Sequence, residues 1–71
     1  MVTTVLERYD SANEFAEIAC EIGEATYMAM IYGDRFQLKF LETHQTIESA
    51  RAAIEKNIQK PYTKSIIRKG Q

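Results

Sequence analysis

Residues 10–24 read DSANEFAEIACEIGE, and the conformation of this stretch decides the architecture of the whole chain. With a helical period, Phe15, Ile18, Ala19 and Ile22 follow the i, i+3, i+4, i+7 spacing of one buried face. Glu14, Glu17, Glu21 and Glu24 fall on the opposite face. Ser11 is a natural N-cap, and Glu14 stands three residues later, at the capping-box spacing. Gly23 suits the left-handed position that follows a helix. The pattern predicts a helix over residues 11–22.

The segment before it, VTTVLERY (residues 2–9), is rich in Val, Thr and Tyr and predicts a strand. The segment after it, TYMAMIYGDRFQLKFL (residues 26–41), predicts strands at 25–32 and 35–42. Gly33-Asp34 between them suits a two-residue type II′ turn. A second helix is expected behind Thr46 as N-cap, with Ile47, Ala50, Ile54 and Ile58 as its buried stripe. Pro61 biases Lys60 away from helical geometry, so this helix should end near Gln59. YTKSIIRKG then predicts a last strand over 62–68.

The resulting order is β-α-β-β-α-β, an α+β chain forming a single domain over residues 1–71. It predicts a ferredoxin-like fold, a four-stranded antiparallel sheet with both helices on one face and strand 25–32 at an edge. A two-residue turn would place Tyr32 opposite Arg35 and Ile31 opposite Phe36. Tyr27, Ala29, Ile31, Phe36, Leu38 and Phe40 would then share the core face. Met28, Met30 and Tyr32 would lie on the other face, beside Arg35, Gln37 and Lys39.

Two helices cover one sheet face only. These six residues are therefore the expected interface, for a homodimer or for another protein partner. Methionine adapts to varied surfaces and tyrosine anchors interfaces. The alternative is RNA stacked on Tyr32, with Arg35 and Lys39 on phosphates and the basic segment from Lys56 onward nearby. Three features oppose it. An RNP1 pattern is absent, six acids crowd residues 7–24 against Arg8 alone, and the net charge is −1.

Little in the chain suggests chemistry. Cys20 is the single cysteine, so no intramolecular disulfide can form, and no His or Lys stands beside it on the expected helix. One cysteine and one histidine, His44, do not make a metal site. The expected place for His44 is a hydrogen bond at a helix entry. Gly23, Gly33 and Gly70 are isolated, which rules out a glycine-rich phosphate loop. The expectation is a non-catalytic, cofactor-free, cytoplasmic protein without a membrane span.

Overall fold

The computed structural model describes residues 3–21 and 23–67. Val2, Ile22 and Arg68, each part of an expected element, lie outside the described residues. Residues 14–21 form a strand, and the expected helix over 11–22 does not exist. The chain runs β1 (Thr3–Ser11), β2 (Glu14–Glu21), β3 (Tyr27–Gly33), β4 (Leu38–His44), α1 (Ile47–Asn57) and β5 (Tyr62–Ile66). The strands make one five-stranded sheet in the order β4-β3-β2-β1-β5, antiparallel throughout. The expected ferredoxin-like arrangement, with four strands and two helices, is therefore replaced by five strands and one helix.

The physical reason lies in what each conformation buries. As a helix, residues 11–22 would bury one narrow stripe. As an inner strand, β2 pairs through seven positions with β1 and seven with β3. Its ladder bonds are satisfied on both edges, and Ala16, Ile18 and Ala19 are all buried. Ala16 and Ile18 point to one face of the sheet and Ala19 to the other, a period of two that the helical reading passes over. Ser11 and Glu14 close the β1–β2 hairpin around Ala12-Asn13, and the Ser11 hydroxyl donates to the Glu14 carbonyl at 3.0 Å. Gly23, at φ +90°, occupies the left-handed region in the β2–β3 connection. Strand 25–32, expected at an edge, is the inner strand β3 between β4 and the central β2, and β4 and β5 are the edges.

The second half forms much as its residues direct. Thr46 caps α1, its side chain accepting from the Ser49 N–H at 3.1 Å. Ala50, Ile54 and the cap residue Ile58 are buried against Tyr9, Ala16, Ile18, Ala29 and Ile31. Ala16, Ala29 and Ala50 are fully buried, and small side chains at these points let helix and sheet approach closely. Tyr62 of β5 packs its ring 5.6 Å from that of Tyr9.

One helix supplies the whole second layer, so its central side chain should dominate stability. Ile54→Ala is expected to cost about 3 kcal/mol, read from the urea midpoint at constant slope. A loss below about 1 kcal/mol would contradict this packing.

Candidate functional site

Because α1 covers one face only, the opposite face of the sheet is open. Strand register places its residues in rows across the strands. Leu38, Tyr32, Phe15, Asp10 and Thr63 form one row. Leu41, Met30, Glu17, Arg8 and Ser65 form the next, followed by Thr43, Met28, Ala19 and Val5. The β3–β4 half is thus largely apolar, and the β1–β2 half carries the charges.

Four side chains build a ladder at one end of this face. The Phe15 ring is stacked on Tyr32, with centroids 5.0 Å apart and planes inclined by 16°. From the neighbouring strand on the other side, the Arg8 guanidinium lies 4.3 Å from the Phe15 centroid. Asp10 and Glu17 hold that guanidinium at 3.1 and 3.5 Å. Phe36 meets Phe15 edge-on at 5.6 Å, and the Tyr32 hydroxyl donates to the Met30 sulfur at 3.3 Å. A hollow of about 280 Å³ lies at this end, with Arg8, Asp10, Phe15, Asp34 and Phe36 among its walls.

The β3–β4 connection explains which residues reach this face. The expected two-residue turn is instead a three-residue loop, Asp34-Arg35-Phe36. Within it the Gly33 N–H donates to the Gln37 carbonyl at 2.8 Å and the Phe36 N–H to the Gly33 carbonyl at 3.0 Å. Phe36 takes the left-handed position, at φ +63°, where glycine is usual. The register therefore slips by three residues beside the loop, where Tyr32 faces Leu38 rather than Arg35, and by four beyond the next pair: Met30 faces Leu41 rather than Gln37, and Met28 faces Thr43 rather than Lys39.

An even slip preserves which face each residue points to. A bulge between the Ile31–Phe40 and Tyr32–Leu38 pairs then reverses it once. Leu38, expected in the core, moves to the open face and is 51% exposed. Lys39, expected on that face, turns to the helix side, where its Nζ donates to Glu14 at 2.6 Å. Phe36, also expected in the core, is 74% exposed.

Of the six expected interface residues, Met28, Met30 and Tyr32 thus stand half-buried on the open face. Arg35 and Gln37 belong to the loop at its end, the Gln37 carboxamide accepting from the Arg35 N–H at 3.0 Å. That carboxamide lies against Gly33, where any Cβ would collide with it. Lys39 lies elsewhere. The face also holds Leu41, which the alternation of the expected strand 35–42 placed there, and Arg8, Phe15 and Leu38, which sequence reasoning missed. Period-two alternation through Phe15, Glu17 and Ala19 was the available signal for that half.

Two polar clusters lie on the helix side. Glu7 is 1% exposed. It accepts from Arg51 Nη2 and Nε at 2.5 and 2.9 Å and from the Tyr9 hydroxyl at 2.9 Å, and Lys64 approaches to 3.7 Å. Burial pushes its carboxyl up, but the Arg51 and Tyr9 hydrogen bonds and the Lys64 charge outweigh this and hold it below its ordinary 4.5. Burial and the bond to Glu7 push the Tyr9 phenol above its ordinary value of 10.0. Glu14 is also lowered, by the Lys39 hydrogen bond against burial and with help from the Gln59 N–H.

At the other end, Ser49 Oγ lies 2.6 Å from His44 Nδ1, and Glu42 Oε1 lies 2.9 Å from Nε2. Serine, histidine and carboxylate touch in series as in a hydrolase triad, but with the two ring nitrogens exchanged, and none of the three lines the hollow described above. They tie the end of β4 to the first turn of α1. Among the described residues, no three His, Cys, Asp or Glu side chains converge to hold a metal ion.

No protein-family model, curated protein or solved structure matches the chain. The chemistry of the open face is what bears on function.

Two outcomes follow. Phe36→Gly should leave stability within about 1 kcal/mol of the parent: glycine relieves about 1–2 kcal/mol of left-handed strain but forfeits an aromatic contact of similar size and loosens the unfolded chain. Thermal unfolding tests this. The lowered carboxyls set acid sensitivity. Their contribution is complete above the unfolded value near 4.5 and is lost as pH falls through the lower folded values. Glu7→Gln should flatten that acid limb in a titration of the unfolding midpoint. An unchanged limb would mean Glu7 does not control it.

Proposed function

We propose that this protein is a non-catalytic binding module that engages a protein partner through the open face of its sheet. The observation that supports this best is the left-handed, largely exposed Phe36, held edge-on against Phe15 above an uncovered apolar half-face. Backbone strain that presents an apolar ring to water is a feature of ligand clamps and binding surfaces. Leu41 and Leu38, 54% and 51% exposed, extend that surface along the edge strand, and Met28 and Met30 lie behind them. The mechanism is burial of this half-face, with charged residues at its margin fixing orientation.

RNA is the weaker reading. Phe15 stacks on Tyr32 and lies under Arg8, so its faces are engaged within the chain, and Asp10 and Glu17 would repel phosphates beside it. No helix among the described residues is long and apolar enough to cross a membrane. A cytoplasmic setting belongs to this proposal.

The test is a bait comparison with exchange mapping. Met30→Lys combined with Leu41→Lys should cost less than about 1 kcal/mol of stability, because both sites are partly solvated. The pair should abolish partner capture, and amide protection in the wild-type complex should fall on β3 and β4. Capture that survives the double variant would defeat the proposal.

A further inference from the structure

The charges around the open face indicate what kind of partner fits it. Asp10, Glu17 and Glu21 point to this face and Asp34 stands at its end, against Arg8 and Arg35. Arg8 is already held by Asp10 and Glu17. A second copy would bring the same acidic balance against itself, and like charges brought together across an interface oppose association.

The chain also shows which cation chemistry the face favours. Arg8 lies over an aromatic ring between two carboxylates. Phe36 and Asp34, two residues apart in the β3–β4 loop, bring an aromatic ring and a carboxylate to the wall of the same hollow. Phe36 is largely exposed, and Asp34 makes no ion pair among the described residues. Among the described residues, no Arg or Lys lies over Phe36 as Arg8 lies over Phe15.

We infer that the open face takes a basic, apolar segment of another protein, with a Lys or Arg seated over Phe36 against Asp34 and apolar side chains on Leu38, Met30 and Leu41. This rests on the open face being the binding surface. The cation gains from the ring's negative face and from the carboxylate, and the apolar residues remove Leu38 and Leu41 from water.

The experiment uses three short acetylated peptides, alternating Leu with Lys, with Glu and with Ser. Each is titrated into the full chain while backbone amide shifts are followed, at low and high salt. The Leu-Lys peptide should shift the amides of Phe15, Asp34 and Phe36, bind tightest, and weaken as salt rises. Asp34→Asn and, separately, Phe36→Leu should each weaken it by about two- to fivefold. Equal binding of the Leu-Glu or Leu-Ser peptide at the same amides would overturn the cationic partner and leave the open-face reading intact. So would sedimentation of the wild type as a dimer closed through this face. A monomer in which no peptide moves open-face amides would overturn both.

Discussion

A single helix of eleven residues must serve a sheet of five strands. Such a helix is about 16 Å long, and five strands span about 19 Å, so it can dress one face and no more. Its backbone lies nearest β2, β3 and β4, and β1 is reached by side chains, with Tyr9 in the shared core and Arg51 extending to Glu7. Glu7 sits where the apolar cover runs out. There a buried carboxylate is stable only because guanidinium, phenol and ammonium groups all converge on it. The same shortage of cover leaves the other face to manage with its own side chains.

That face manages unevenly. On the β1–β2 half, Arg8 lays its guanidinium over Phe15 and is clamped by carboxylates, so the apolar ring is shielded by a group that water also solvates. On the β3–β4 half no charged side chain among the described residues performs this service, because the bulge removes Lys39 and presents Leu38 in its place. The apolar surface therefore concentrates towards one edge of the sheet, next to the loop that carries Phe36. Exposed leucines scattered singly would mean little. Here they adjoin an aromatic ladder and a strained phenylalanine.

Much of the second half of the chain was legible in its residues, since Thr46, the Ile54 stripe and Pro61 act locally. The first half was not. In EFAEIACE, Ile18 belongs to both the helical and the alternating pattern, and alanine and cysteine are small enough for either. Only pairing to β1 and β3 decides between them, and partner strands are not a local signal. Met28, Met30 and Tyr32 were nonetheless assigned to the open face, because the loop's slip of three and the bulge's further one add to an even four, which keeps Phe40 on the core side with Ala29 and Ile31. The faces of Leu38 and Lys39 were exchanged because a bulge leaves no mark in alternation. Phe36 at a left-handed position runs against residue preference, so the hairpin reads most naturally with a glycine turn.

The charge asymmetry of the sequence acquires a structural cause. Along β1 and β2 the acids divide by alternation. Glu7 and Glu14 go to the helix side, and Asp10, Glu17 and Glu21 go to the open face. The bases that follow meet the first group: Arg51 and Lys64 pair with Glu7, and Lys39 pairs with Glu14. Among the described residues, Arg8 alone forms ion pairs with the second group, through Asp10 and Glu17. The acidic balance of the open face is thus what is left after the helix side has neutralised its own carboxylates. Pairing Glu7 and Glu14 inside the fold leaves a surface whose unmet charge lies beside its unmet apolar area, and a basic, apolar segment satisfies both at once.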